Sequence, residues 1–179
     1  MSSPGLTVWM TGLPAAGKTT LGDAVAAALR GEGHAVERLD GDALRAGVSA
    51  DLGFSAADRD ENVRRAGELT ARSAGEGAIV VASLVSPYAA GRMHVRELHA
   101  AARLVFIEVF VDTPLQECQR RDPRGLYARA ERREVANVTG VDDPYEPPDA
   151  PEVHVHPGPE TVEQCVSAVV AAVNARLRP

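Results

Sequence analysis

The sequence predicts an α/β fold in which a five-stranded parallel sheet is covered by helices on both faces. Short apolar runs alternate along the chain with segments of helical character, as expected when each strand is followed by a crossover helix. The length of 179 residues suits one domain, because domains usually contain about 100–200 residues. A hydrophobic content of 45% with 25% charged residues is ordinary for a globular chain. We therefore expect a single domain over residues 1–179.

The predicted strands are short apolar runs. They are LTVWM, HAVERLD, AIVVASLV, RLVFIEVFV and EVHVH, at residues 6–10, 34–40, 78–85, 103–111 and 152–156. Helices are predicted between them at 18–30, 42–48, 56–76, 88–102 and 114–121, and after them at 160–177. The last helix has an apolar stripe at helical spacing, typical of a core-facing helix, formed by Val162, Cys165, Val166, Val169, Val170 and Val173.

The segment 120–151 interrupts this alternation. It is polar, rich in proline and arginine, and longer than an ordinary connection. A segment of this kind is either a functional lid or an irregular surface loop. We favour a lid at about 120–150.

Charge and composition limit the partners of the chain. A net charge of −6 argues against general affinity for nucleic acid or for anionic membranes, which leaves a small molecule as the expected partner. No apolar run approaches the roughly 20 residues that span a bilayer, and the first residues lack the pattern of a signal peptide, so we expect a cytoplasmic protein. Cys118 and Cys165 have no metal-type spacing and are interpreted as small side chains in helices.

The stretch TGLPAAGKTT at 11–20 contains the pattern G-x-x-x-x-G-K-[ST] between a predicted strand and a predicted helix. In that context the pattern forms a phosphate-binding loop, or P-loop, whose backbone N–H groups and helix N-terminus face the phosphates. Lys18, the only lysine of the chain, would reach the β- and γ-phosphates, and the Thr19 hydroxyl would bind Mg²⁺. The sequence thus predicts a P-loop NTPase fold that binds MgATP, and the absence of an N-K-x-D element disfavours a GTPase. The predicted nucleotide contacts in the loop are Gly12, Ala15, Ala16, Gly17, Lys18, Thr19 and Thr20.

Two carboxylates follow the second predicted strand. Asp40 and Asp42 should emerge beside the P-loop, because ligands of open parallel sheets bind beyond the carboxyl ends of the strands. A carboxylate there can deprotonate a substrate hydroxyl or hold Mg²⁺ through water. Asp42 is the predicted base, and the competing interpretation is that it caps helix 42–48.

Planar donors follow the carboxylates. Arg59, Asn62 and Arg65 are placed on one face of helix 56–76, and they and Arg45 suit phosphate or sulfate oxygens. Phe54 lies in a polar stretch, where it either stacks on a base or joins the core.

The order of these motifs resembles the adenylylsulfate kinase family. They are LDGD-x-LR-x-G-x-x-x-DLGFS-x-x-DR-x-EN-x-RR from residue 39, SPY at 86–88, RDPRGLY at 121–127 and TGVDDPYEPP at 139–148. The similarity covers residues 6 to about 175. It implies transfer of the γ-phosphoryl of MgATP to the 3′-hydroxyl of adenylyl sulfate, giving 3′-phosphoadenylyl sulfate and ADP, with ATP and Mg²⁺ as cofactors in a homodimer.

The resemblance also implies roles for individual residues. Lys18, Asp42 and Ser86 would act in catalysis. Arg121, in the lid, would join the P-loop in binding ATP. The substrate would contact Asp40, Arg45, Phe54, Arg59, Asn62, Val85 and Val138.

Three positions depart from the family pattern. Ala89 replaces the arginine of SPYR, and Ala136 and Val138 occupy places where the lid commonly has a lysine and a phenylalanine. That phenylalanine ring would close on the substrate adenine, a contact worth about 1–3 kcal/mol. The departures leave open a related kinase that phosphorylates another hydroxyl-bearing small molecule, and a silent nucleotide-binding subunit is a third hypothesis.

His154 and His156 alternate on one face of the last predicted strand. They suggest a metal pair, but the sequence offers no third ligand beside them. The favoured interpretation is a strand edge near the ATP base.

Overall fold

A computed structural model describes residues 5–178 of the chain. Its strands are β1 (Leu6–Thr11), β2 (Val36–Asp40), β3 (Ile79–Ser83), β4 (Val105–Val111) and β5 (Val153–Val155). Its helices are α1 (Lys18–Gly31), α2 (Gly41–Ala46), α3 (Ala56–Gly75), α4 (Ala89–Ala101), α5 (Leu115–Arg121), α6 (Leu126–Glu131) and α7 (Val162–Leu177).

The five strands form one parallel sheet in the order β2-β3-β1-β4-β5. After β1 the chain continues to β2 at one edge of the sheet and returns to β3, which lies next to β1. From β3 it passes β1 to reach β4, toward the opposite edge. The strand order therefore reverses at β1, and such a reversal opens a crevice at the carboxyl edge of a parallel sheet.

Apolar side chains cover both faces of the sheet. Leu6, Val8 and Met10 of β1 point to the face covered by α1 and α7, and Trp9 points to the face covered by α3 and α4, because neighbouring residues of a strand face opposite ways. The predicted five-stranded parallel sheet with helices on both faces is confirmed.

Helices α3 and α4 approach closely at Gly67. A Cβ atom at this glycine would lie 2.7 Å from Cγ2 of Val95 on α4, which is too close for two carbon atoms. The missing side chain therefore lets the two helices pack against the same part of the sheet.

The structure differs from the sequence prediction in several places. β3 ends at Ser83, because the backbone then turns through Ser86, whose φ is 39°. Val162, predicted in the core stripe of the last helix, is 48% exposed, since it lies in the first turn of α7. Helix α6 within the predicted lid was not expected, although Leu126, Tyr127 and Ala130 have helical spacing and pack on the core.

Both cysteines are free thiols buried in helices, as expected.

Across residues 5–178, no helix combines the length and the apolar character needed to cross a membrane.

Candidate active site

The P-loop begins where β1 ends. A Cβ atom at Gly12 would lie 2.6 Å from the carbonyl oxygen of Val111, so only glycine fits against β4 at this point. Gly17 precedes α1 with a φ of 100°, a left-handed conformation that glycine adopts without a steric penalty. Lys18 is the first residue of α1, and the loop is therefore joined directly to a helix N-terminus, where backbone N–H groups bind anions.

Lys18 is folded back onto its own loop. Its Nζ donates to the carbonyl oxygens of Gly12, at 3.0 Å, and Leu13, at 2.7 Å, and the residue is only 8% exposed. Burial lowers the pKa of Lys18 to about 8, an effect that the neighbouring Cys118, Asp40 and Asp42 oppose. The ammonium group is therefore held against the carbonyl oxygens of its own loop.

Asp40 connects the P-loop with α2. Its Oδ2 accepts a hydrogen bond from the Thr19 hydroxyl at 2.8 Å, and its Oδ1 accepts one from the backbone N–H of Asp42 at 3.0 Å. Asp40 is thus the N-cap of α2, and the interpretation that Asp42 caps this helix is wrong. The hydroxyl and carboxylate oxygens of Thr19 and Asp40 are the ligand types that Mg²⁺ prefers, so this pair fits the ion.

Asp42 lies in the first turn of α2 with an exposed carboxylate. Its Oδ2 is 2.5 Å from Nη2 of Arg124, which belongs to the segment between α5 and α6. Both side chains of this ion pair are exposed to solvent, so the pair contributes little energy and opens easily.

Ser86 lies in the turn after β3. Its Oγ accepts a hydrogen bond from Nε1 of Trp9 at 3.1 Å, and the preceding residue, Val85, accepts one from the Thr11 hydroxyl at 2.7 Å. The positive φ of Ser86 is a sparsely populated conformation for a residue with a side chain. The turn is thus tied to the C-terminal half of β1.

Sequence reasoning missed the residue that holds this turn. Arg92 of α4 is buried and donates to the carbonyl oxygens of Ser86, at 2.7 Å, and Glu146, at 2.6 Å. Its charge is balanced by Glu108 of β4, 3.0 Å away. The only signal in the sequence was an arginine in the first turn of a helix that begins Ala-Ala-Gly.

Arg45 and Arg59 lie over the ring of Phe54. Their guanidinium carbons are 4.2 and 5.6 Å from the ring centroid, distances typical of cation–π contacts. Phe54 is 54% exposed, so the interpretation that it joins the core is wrong. Burial lowers the pKa of Arg45, and the neighbouring charge of Arg59 adds to the effect.

Asn62 lies one turn after Arg59 on α3 and is also buried. Arg59 donates to the carbonyl oxygens of Phe54 and Asn137, whereas Oδ1 of Asn62 has no hydrogen-bond partner among the described residues. A buried polar atom without a partner costs about 1–3 kcal/mol, which points to a group that a ligand supplies. Arg65, predicted on the same face, instead pairs with Asp51 and Glu61.

The segment from 122 to 152 crosses the site. The Tyr127 hydroxyl donates to the carbonyl oxygen of Pro14 in the P-loop at 2.8 Å, and the Tyr145 hydroxyl lies 3.0 Å from Oγ1 of Thr11. From the other side, the Tyr88 hydroxyl donates to Asp143 at 2.8 Å. The three tyrosines of the chain therefore all join this segment to the site, a role that sequence reasoning did not assign to them.

The remaining predicted contacts differ in exposure. The Arg121 Nη1 is 3.7 Å from the place where a Cβ of Gly17 would stand, so this guanidinium lies over the P-loop. Val138 is 3% exposed and packs with the apolar side chains on the α1 and α7 face of the sheet, whereas Ala136 and Ala89 are exposed. The structure thus brings the other predicted residues to one edge of the sheet and turns the Val138 side chain inward.

The P-loop lies at the reversal point of a parallel sheet, carboxylates lie at the end of β2 on the same edge, and one segment crosses both. This arrangement defines a P-loop kinase. The family model of adenylylsulphate kinase matches residues 4–156. The chain belongs to this family, and the predicted family, fold and ATP-dependent kinase function are confirmed.

Known relatives match nearly the whole chain. The adenylyl-sulfate kinase of Synechococcus sp. (strain JA-2-3B'a(2-13)) is 46% identical over 176 residues, which is 98% of each chain. The adenylyl-sulfate kinase of Saccharomyces cerevisiae is 45% identical over 92% of this chain and 82% of its own. The solved structure of the Mycobacterium tuberculosis APS kinase in complex with AMPPNP and APS has a TM-score of 0.92 and 42% identity over 96% of this chain and 98% of that chain.

Proposed function

We propose that the residues described above transfer the γ-phosphoryl of MgATP to the 3′-hydroxyl of adenylyl sulfate. The observation that carries the assignment is the chain of hydrogen bonds from Thr19 through Asp40 to the backbone of Asp42. It joins the phosphate-binding loop to an exposed carboxylate at the same edge of the sheet. Donor and acceptor groups are therefore fixed relative to each other, which is most of what phosphoryl transfer needs from a protein.

The donor half consists of the P-loop and two neighbouring side chains. Backbone N–H groups at the start of α1 bind the phosphates, and Lys18 exchanges its bonds to Gly12 and Leu13 for phosphate oxygens. Thr19 and Asp40 hold Mg²⁺ directly or through water, and the ion supplies neutralisation of phosphate charge. Arg121 closes over the loop.

The acceptor half positions the hydroxyl that attacks. Asp42 accepts the proton of the 3′-hydroxyl while the new oxygen–phosphorus bond forms and the bond from the γ-phosphorus to ADP breaks. Arg124 leaves Asp42 before this step, since a paired carboxylate is a weaker base. Phe54 stacks on the adenine of the substrate. The phosphosulfate and ribose of the same substrate are bound by Arg45, Arg59 and Asn62.

Ser86 and Val85 line the place of transfer. Arg92 fixes their turn through the Ser86 carbonyl and balances its own charge with Glu108. We therefore assign Arg92 a positioning role.

The arrangement of the whole chain is part of the proposal. The segment at about 120–150 acts as the lid of a single domain spanning residues 1–179. The enzyme is cytoplasmic, and the family resemblance implies that it is a homodimer. Light scattering of the purified protein at micromolar concentration tests the dimer, and a monomer mass contradicts it.

Steady-state kinetics test the reaction. We expect kcat/KM for adenylyl sulfate within the usual enzyme range of about 10⁴–10⁸ M⁻¹s⁻¹, and a value below about 10³ would count against this acceptor in favour of another hydroxyl compound.

Asp42→Asn tests the base. We expect kcat to fall by about 10²–10⁴-fold, because the amide cannot accept the proton, with MgATP affinity nearly unchanged. Asp51→Asn, another exposed aspartate that pairs with Arg65, is the control and should retain activity. Equal activity of the two variants would contradict the assignment of Asp42.

A further inference from the structure

Three metal-ligating side chains meet at the carboxyl edge of β4 and β5, outside the residues that the proposed reaction uses. They are Asp112, His154 and His156, and their ligand atoms all lie within 4.8 Å of one another. All three side chains are 40–48% exposed, so an ion can reach them from solvent.

Strand geometry explains why they meet. His154 and His156 are two residues apart, which places both imidazoles on one face of β5. The parallel register pairs Phe110 with His154, and the backbone N–H of Asp112 donates to Val155 at 2.9 Å. Asp112 therefore follows β4 directly beside the two histidines.

The distances suit a single ion. Oδ2 of Asp112 is 2.9 Å from Nε2 of His154 and 3.7 Å from Nδ1 of His156. Ligand atoms about 2.0–2.2 Å from a tetrahedral ion are roughly 3.4 Å apart, so small side-chain rotations bring the three atoms to coordinating positions. Two imidazoles with one carboxylate favour Zn²⁺ and similar transition ions over Mg²⁺, which prefers oxygen.

Aromatic packing fixes one side of the cluster. The His154 ring stacks on Phe110 with centroids 4.8 Å apart, and Phe110 stacks on Tyr145 at 6.0 Å. His154 is thereby restrained in orientation, which reduces the entropy lost when it binds an ion.

We propose that Asp112, His154 and His156 bind one divalent transition-metal ion of the zinc type. The site provides three protein ligands and leaves at least one coordination position to water or to an external ligand. It is separate from the Mg²⁺ pair Thr19 and Asp40, and it stands or falls independently of the proposed function.

Zinc titration of the full chain tests the proposal. Protein freed of metal with a chelator, without nucleotide, is titrated with Zn²⁺ by calorimetry, and Co²⁺ is used in parallel as a spectroscopic probe. We expect one ion per chain and visible Co²⁺ absorption of the intensity typical of tetrahedral sites. His156→Ala and Asp112→Asn should each weaken Zn²⁺ binding by at least tenfold and remove the Co²⁺ band.

Two control variants locate the ion. His94→Ala removes an exposed histidine of α4, and Asp40→Asn removes a carboxylate of the Mg²⁺ pair, and both should leave Zn²⁺ binding unchanged. The proposal is overturned if the wild-type chain binds no Zn²⁺, if His156→Ala binds it as well as the wild type does, or if Asp40→Asn abolishes binding. Circular dichroism of each variant confirms that it is folded, and a second ligand variant, His154→Asn, replaces any variant that is not.

Discussion

Lys18 is folded onto the carbonyl oxygens of the loop that is proposed to bind phosphate. Its bonds to the Gly12 and Leu13 carbonyl oxygens satisfy a buried ammonium that would otherwise be costly, and they keep the loop in shape without nucleotide. Binding of phosphate then exchanges two neutral acceptors for charged ones, which favours the protonated amine.

The lowered pKa of Lys18 predicts a pH-dependent nucleotide affinity. In the free protein the amine is protonated below pH 8 and neutral above it, so the dissociation constant of MgADP should rise between about pH 8 and 9.5, by up to tenfold per pH unit. Calorimetric titration with MgADP from pH 7 to 9.5 measures this dissociation constant. Lys18→Arg is the control, because arginine stays charged in this range. Its affinity for MgADP should be lower than that of the wild type at every pH and should not change with pH. An equal pH dependence of the affinity in both proteins would refute the role of Lys18.

Val138 occupies a place where the family resemblance implies an aromatic ring, but its side chain is buried. We expect Val138→Phe to lower the free energy of unfolding by about 1–3 kcal/mol through overpacking, without lowering the KM for adenylyl sulfate. Denaturant titration and steady-state kinetics measure the two effects. Ala136→Phe adds the same ring at an exposed position and should change stability little. Equal stability of the two variants, or a lower KM for Val138→Phe, would show that position 138 opens toward the substrate.

At the scale of the elements, helix α3 has two roles: it holds residues of the site, and it packs against α4. Gly67→Ala should lower the free energy of unfolding by about 1–3 kcal/mol, because its Cβ would meet Val95. Gly75→Ala, at the end of the same helix, meets no atom within 4 Å and should leave stability equal or slightly higher. Denaturant midpoints of the two variants test the expectation. If both alanines are tolerated equally, the approach of the two helices is looser than described.

The elements also show how far a sequence can predict this site. The P-loop and the carboxylates were predictable, because each lies within a few residues of a recognisable strand end. Contacts between distant parts of the chain were not: Tyr127 reaches Pro14 across 113 residues, and Asp112 reaches His154 across 42. The third ligand beside the histidine pair could therefore be identified only from the register of β4 and β5. The cap of α2 was misplaced by two residues, because Asp40 and Asp42 are equally suited to capping in a linear pattern.

On the scale of the whole molecule, one sheet separates the apolar side chains packed under α1 and α7 from those packed under α3 and α4, and both sets include side chains of its strands. Trp9, the only tryptophan, lies in the central strand on the α3 and α4 side, whereas far-ultraviolet circular dichroism reports all helices, including α1 and α7 on the other side. We expect Trp9 fluorescence and far-ultraviolet circular dichroism to report one coincident urea transition, because the apolar packing on either face requires the sheet. The nucleotide-free wild type at two protein concentrations is the sample, so that any contribution of dimer dissociation is seen. Transitions that separate between the two probes would show that the two sides unfold independently.

Lys18 is the only lysine of the chain. Reagents that acylate primary amines therefore meet two groups in the chain, the α-amino group and a lysine in the nucleotide loop. The pKa of about 8 leaves part of that lysine neutral, and hence nucleophilic, near physiological pH. Acylation of this single side chain becomes a direct chemical readout of whether the loop is occupied.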